Sequence, residues 1–268
     1  MHLAFCSISA LDRPIAEVAA LAARLGLDGL EVTARPPHLD PDQGSDAAHQ
    51  IGRIVRAAGL SVTAYGSYLG RFGEVTPAHA AQAAAIAAAL ETPLLRVWAE
   101  PLEGQAEDLT VPVGLLRTAC DAARGDGITV VIERHLGSYA DTPERIERLL
   151  DAIDRPNVAL NYQVLDFLPP SAVAAQAADA ARLIRHARYF HLKNYQLNPD
   201  GQSPLLPGGS LEGGVLDYRA ILAAAVGGGY KGPLTIEFLA ADERSVEEKL
   251  AGDVAFVRRV LREIRVHR

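Results

Sequence analysis

Four polar residues each end a short apolar run and are of a kind that does chemistry: Glu133, Gln163, His191 and Glu237. Side chains alternate along an extended strand, so Glu133 shares a face with Val131, His191 with Tyr189 and Glu237 with Thr235. This parity lets all four point to one interior. Two carboxylates, one imidazole and one amide oxygen converging on a point suit a divalent cation such as Mn²⁺, Mg²⁺, Co²⁺ or Zn²⁺. A second tier stands close by in sequence: Arg134 and His135 beside Glu133, Asp166 after Gln163, Lys193 on the His191 face, Glu31 at another run's end, and Trp98, the one tryptophan. Each is a candidate to contact substrate, and each has a plainer reading as an ion pair or a packed side chain. Tyr65, Tyr68 and Arg71 could form a lid.

Positioning such residues needs a repeated element. Strand-like runs occur at 2–8, 28–33, 60–66, 93–98, 128–134, 157–163, 187–193 and 233–238. They are the short apolar runs that buried parallel sheets use. Helical patterns alternate with them at about 14–25, 46–59, 77–91, 111–125, 142–153, 170–186, 217–228 and 243–266. Thr76-Pro77 and Thr142-Pro143 read as a capping residue followed by proline at the first helical position, Asp217 as a cap, and Gly26 and Gly59 as helix stops. Eight strand–helix units without a linker predict an α/β chain folded as one (β/α)8 TIM barrel domain over 1–268. In that fold the active site gathers at the C-terminal ends of the strands, where the four residues lie. A doubly wound sheet would show a Gly-rich phosphate loop after an early strand, and none follows 2–8 or 28–33. The segment 195–216 is the longest irregular stretch and reads as a functional loop over the barrel mouth.

Composition narrows the function classes. The 268 residues are 49% hydrophobic and 22% charged, with a net charge of −7 and a pI near 5.6. No Lys/Arg run offers a footprint for nucleic acid, and the acidic balance argues against that partner. Cys6 and Cys120 are too few for a disulfide framework and read as small buried residues. No signal peptide opens the chain, and no apolar stretch approaches membrane-spanning length. The expectation is a soluble cytoplasmic protein with a small-molecule substrate; self-association into a homo-oligomer is left open.

Several stretches together carry a resemblance to a known family. IERHLGSYADTPERIERLL (132–150) resembles a strand-five signature of Glu, a polar residue and His; YFHLKN (189–194) resembles a His-x-Lys-Asp strand, with Asn194 at the Asp position. GGSLEGGVLDYRAILAAAVGGGYKGPLTIEF (208–238) resembles a Gly-Glu-Gly loop, helix and closing Ile-Glu strand. Over essentially its whole length the chain is similar to the sugar phosphate isomerase/epimerase group of the xylose-isomerase-like TIM barrels. The resemblance implies metal ligation by Glu133, His191 and Glu237, with Glu133 and Glu237 also moving protons on opposite faces of a carbon beside a carbonyl. It implies a metal-dependent isomerase or epimerase of a ketose or related polyhydroxy carbonyl compound, working through an enediolate.

At strand six the sequence departs from the family's Asp-x-x-His. Here it reads Gln163-Val164-Leu165-Asp166, so a neutral amide replaces the carboxylate ligand and a carboxylate replaces the imidazole. A neutral ligand leaves one more net positive charge at the site and weakens metal binding unless Asp166 or substrate compensates. Two alternatives follow: a dehydratase or lyase acting on an inosose or 3-keto sugar, and a non-catalytic sugar-binding barrel. An endonuclease-IV-like repair enzyme would need many His ligands and a basic face, which 8 His and a charge of −7 do not favour.

Overall fold

The computed structural model describes residues 1–71, 75–100 and 108–266. Eight parallel strands close into a barrel: β1 (Leu3–Cys6), β2 (Gly29–Thr33), β3 (Ser61–Gly66), β4 (Leu94–Val97), β5 (Thr129–Glu133), β6 (Val158–Tyr162), β7 (Ala187–Leu192) and, after a small hairpin, β10 (Leu234–Ile236). Neighbours in space follow the chain, and β10 pairs with both β7 and β1 to close the ring. The fold expected from the alternating runs is therefore the one formed.

The helices form where the sequence supplies both an apolar face and a start signal. They are α1 (Ile15–Arg24), α2 (Gly44–Ala57), α3 (Pro77–Leu90), α4 (Thr110–Ala123), α5 (Pro143–Ile153), α6 (Gln176–Leu183), α7 (Tyr218–Gly227) and α8 (Val246–Val266). Thr76 Oγ1 accepts from His79 N at 3.2 Å, Thr142 Oγ1 from Arg145 N at 3.3 Å, and Asp217 Oδ1 from Arg219 N at 3.0 Å. Each cap satisfies a backbone donor that the first helical turn leaves without an intrahelical partner. The Ala-rich α3 buries Ala80, Ala83, Ala84, Ile86, Ala87 and Leu90, so small side chains line its contact face. No helix among the described residues is long and apolar enough to cross a membrane.

Two expectations are corrected. The helix expected over 170–186 is α6 flanked by 3-10 turns at Pro170–Ala175 and Ile184–His186. Its opening Pro169-Pro170 removes donors and fixes φ, which shortens the α-helical part. The segment 195–216 is not irregular throughout: β8 (Asn194–Gln196) and β9 (Leu206–Gly209) pair antiparallel. The Asn194 side chain holds this hairpin, its Oδ1 accepting from Leu216 N at 3.0 Å and its Nδ2 donating to Leu216 O at 3.1 Å. A Cβ at Gly214 would lie 2.2 Å from Asn194 Cγ, so the close approach requires glycine.

Inside the barrel Ala64, Leu94, Val131, Ala159 and Tyr189 form a small apolar layer. The next inward positions toward the C-terminal ends are Arg96, Glu133, Asn161 and His191, in keeping with strand alternation. The polar site thus stands on an apolar plug. Cys6 and Cys120 are both buried and free.

Candidate functional site

β2, β4, β5, β7 and β10 each deliver one ionisable side chain to the centre of the barrel mouth, and all five are buried: Glu31, Arg96, Glu133, His191 and Glu237. Arg96 is the hub. Its Nε donates to Glu31 Oε1 at 2.9 Å, and its Nη1 pairs with Glu133 Oε2. His191 Nε2 lies 2.6 Å from Glu31 Oε2, and its Nδ1 lies 3.4 Å from Glu237 Oε2. The expected four residues Glu133, Gln163, His191 and Glu237 do come together, within a network that Arg96 and Glu31 complete.

Gln163 follows β6 and is fully buried. Its Nε2 donates to Glu133 Oε1 at 3.0 Å and to the Arg134 carbonyl at 2.7 Å, while its Oε1 stands 3.3 Å from His191 Nδ1. A backbone carbonyl can only accept, so the amide nitrogen must face it. A carboxylate in the same place would set an acceptor oxygen against both that carbonyl and Glu133. The amide is what the surrounding groups require.

Charge is compensated internally to within one negative charge. Burial alone would depress the His191 pKa, but Glu237 and Glu31 outweigh it and raise it to about 10, so the ring is a cation at neutral pH. Burial would raise Glu31, yet His191 and Arg96 hold it below its ordinary value. Burial works against Glu237 too, and His191 and Lys193 keep it well below the usual carboxylate range. Lys193 is raised despite burial by Asp166, Tyr195 and Glu237. Three cations (Arg96, Lys193 and His191) face four acids (Glu31, Glu133, Asp166 and Glu237) through ion pairs on all sides.

A cavity of about 990 Å³ opens above this network. Arg96, Glu133, His135, Asp166, Lys193 and Glu237 reach its floor. Lys193 Nζ lies 3.1 Å from Asp166 Oδ1 and 3.4 Å from Glu237 Oε2. Asp166 also accepts from the Tyr195 hydroxyl at 2.6 Å and lies 3.5 Å from His135 Nε2. Glu31, Gln163 and His191 are fully buried beneath this floor. Arg134 is not brought to the cavity. It lies on the opposite face from Glu133, where its Nη2 donates to Asp179 Oδ2 at 2.6 Å and its Nε to the Asp141 carbonyl at 3.2 Å. Trp98 lines the cavity but is only 7% exposed, with the Arg71 guanidinium 4.1 Å from its ring centroid.

Arg96 and Asn161 are the residues that reading by strand ends passed over. Arg96 sits one residue before its strand ends and shares the inward face of Leu94, so parity alone would have found it. Asn161, whose amide lies 3.2 Å from His191 Nδ1, is hidden one inward position before Gln163. Cys6 is buried, as expected of a small packed residue, and burial together with Glu31 and Glu237 holds its thiol neutral.

Whether a cation fits is decided by the donors. Cys6, His191 and Glu237 each offer a ligand atom within 4.8 Å of the others. Glu237 Oε2 is buried without a hydrogen-bond partner. Once His191 gives up its Nδ1 proton, the residues fit a cation on the His191–Glu237 side, with Gln163 Oε1 beside it, while Glu133 is turned to Arg96 and Gln163.

The sequence pattern of the family described as xylose isomerase-like TIM barrel matches residues 19–260. No curated protein sequence matches the chain. Among solved structures, a xylose isomerase-like TIM barrel protein from Mycobacterium smegmatis in complex with magnesium is 19% identical with a TM-score of 0.72, covering 98% of this chain and 97% of its own. A probable 3-DHS dehydratase from Bacillus anthracis is 19% identical with a TM-score of 0.73, covering 96% and 99%. D-allulose 3-epimerase from Methylomonas sp. is 16% identical with a TM-score of 0.69, covering 97% and 98%. At these identities the likeness is one of fold.

Proposed function

The chain belongs to the xylose isomerase-like TIM-barrel family, and we propose that it moves a proton next to the carbonyl of a polyhydroxy compound, as an isomerase or epimerase of a ketose or related sugar. The observation that carries this reading is the floor itself. Glu133 and Glu237 stand on strands separated by β6 and β7, and cationic Lys193 and Arg96 share the same cavity surface. One of the two takes the proton from the carbon beside the carbonyl as a carboxylate; it returns that proton to the adjacent carbon in an isomerisation, whereas in an epimerisation the other, protonated in the substrate complex, delivers its own to the opposite face. The N–H groups of Lys193 and Arg96 are donors for the oxyanion that develops. Glu237 rests as a carboxylate because His191 and Lys193 hold it charged. A substrate oxygen that draws Lys193 toward itself loosens that hold and makes Glu237 a stronger base.

Gln163, His191 and Glu237, with Glu133 once turned from Arg96, are the proposed ligands of a divalent cation. Such an ion, when bound, would supply Lewis-acid polarisation of substrate oxygens. His135, Asp166, Lys193 and Trp98 are the proposed substrate contacts, with Glu31 holding His191 and Arg96 in place.

The test is incubation with a ketose panel in D2O, with and without added Mn²⁺ or Mg²⁺, read by mass and NMR together with metal content. Deuterium should enter at the carbon beside the carbonyl, and Glu133→Gln or Glu237→Gln should slow entry by roughly 10²–10⁴-fold. No exchange under any condition across the panel would overturn the reading. A dehydratase acting on an inosose or 3-keto sugar is the second reading. It is favoured by the Tyr195–Asp166–Lys193 chain, which could protonate a departing hydroxyl. Loss of water in the product mass separates the two.

A further inference from the structure

The cavity changes character with height. Its floor is ionic, while the rest of its lining sets the apolar side chains of Ile8, Leu239 and Val246 and two phenylalanines beside Arg35, Arg71 and Lys249. Phe167, after β6, is 55% exposed and has φ of 54°; Phe238, after β10, is 41% exposed and has φ of 55°. A non-glycine residue in this left-handed region costs on the order of 1 kcal/mol or more. An exposed apolar side chain is by itself ordinary. Two exposed aromatic rings, each on a backbone conformation that favours glycine and each in a loop that follows a barrel strand and lines one cavity, are not accounted for by packing. Lys193 Nζ lies 5.6 Å from the centroid of the Phe238 ring, so the aromatic rim begins where the polar floor ends.

Size points the same way. Cavities of roughly 300–1,000 Å³ bury drug-sized ligands, and this one, at about 990 Å³, stands at the top of that range. A free pentose or hexose, polar over its whole surface, would occupy the ionic floor and leave the rim bare. We propose that the substrate is a sugar conjugate, a polyhydroxy unit with a carbonyl left free by the glycosidic bond, seated on the Glu133–Lys193–Glu237 floor and joined to an aromatic aglycone held between Phe167 and Phe238. The inference rests on the proposed sugar reading for its floor, and on the rim residues for the aglycone.

Binding tests it without turnover. Phenyl glycosides of the common pentoses and hexoses are titrated beside the corresponding free sugars and phenol, by calorimetry and by fluorescence. Trp98 is the only tryptophan in the chain and lines the cavity, so its emission reports occupancy of this site. At least one phenyl glycoside should bind tenfold or more tightly than its free sugar and than phenol. Phe167→Gly and Phe238→Gly remove the rings while relieving the backbone. Each should melt at the same temperature as the parent or higher, yet bind that glycoside at least tenfold more weakly, with free-sugar affinity unchanged. Equal affinity for glycoside and free sugar, no binding across the panel, or variants that bind the glycoside as the parent does would each overturn the proposal. Ring-dependent glycoside binding with no deuterium exchange in the ketose panel would sink the isomerase reading and leave the aglycone site standing.

Discussion

Arg96→Met would leave Glu31 and Glu133 buried without the guanidinium that both contact. Removing one partner of a buried ion pair typically costs about 3–5 kcal/mol, and urea denaturation should show a loss of that order. Adding Glu133→Gln to the same chain should recover part of it, because the amide brings no charge to leave unpaired. Gln163→Glu asks a different question of the same network. The new carboxylate would face the Arg134 carbonyl and Glu133 in place of two donated hydrogen bonds. Stability without metal should fall by about 2 kcal/mol or more, and millimolar Mn²⁺ should raise the melting temperature of this variant more than that of the parent. An unchanged parent-like melt in chelator would contradict the role assigned to Gln163. The four residues at strand ends were legible because alternation fixes which way each one points. Arg96 and Glu31 were not legible as partners, since contact across 65 residues of chain depends on how β2, β3 and β4 curve around the interior and not on any local pattern.

At the scale of elements, α8 is bound to the hairpin over the site by one buried carboxylate: Asp253 Oδ1 accepts from Leu211 N at 2.8 Å. Burial raises its pKa from 3.8 to about 6, only partly offset by that hydrogen bond and by Arg244, while Asp242 adds to the rise. An acid with a raised folded pKa favours folding while protonated. Its contribution is therefore lost as pH rises from about 4 to 6 and stays lost above that. Asp253→Asn keeps the acceptor oxygen and cannot ionise. It should add up to about 2 kcal/mol at pH 7.5 and nothing at pH 4, as measured by urea denaturation at the two pH values. The elements themselves were readable in sequence wherever an apolar period met a cap, as at Thr142-Pro143. Pro169-Pro170 hid the shortness of α6, and β8 and β9 were missed because Leu206–Gly209 has no alternation, its pairing being imposed by Asn194 and Gly214.

For the whole molecule, closure makes the last unit answerable to the first. Arg258 donates to the Leu25 carbonyl at 3.2 Å and pairs with the Gly26 carbonyl, and Arg24 Nη2 lies 3.0 Å from Glu247 Oε2, so α8 is tied to the end of α1. The surface ion pair adds little; the apolar face of α8 adds much. Leu250, Val254, Phe256, Val257 and Val260 are all buried, and at about 2 kcal/mol for each such side chain their burial is worth on the order of 10 kcal/mol. That is as large as the net stability of a typical domain. The remaining helices cannot absorb its loss, because α8 packs on α7 and is tied to the end of α1, the last and first units that meet where the ring shuts. A chain ending at Ser245 should therefore show no cooperative transition by calorimetry, and it should also lose the Leu211 anchor of the loop over the site. A sharp melt in that truncated chain, with Trp98 emission like the parent's, would show instead that the barrel closes without its last helix.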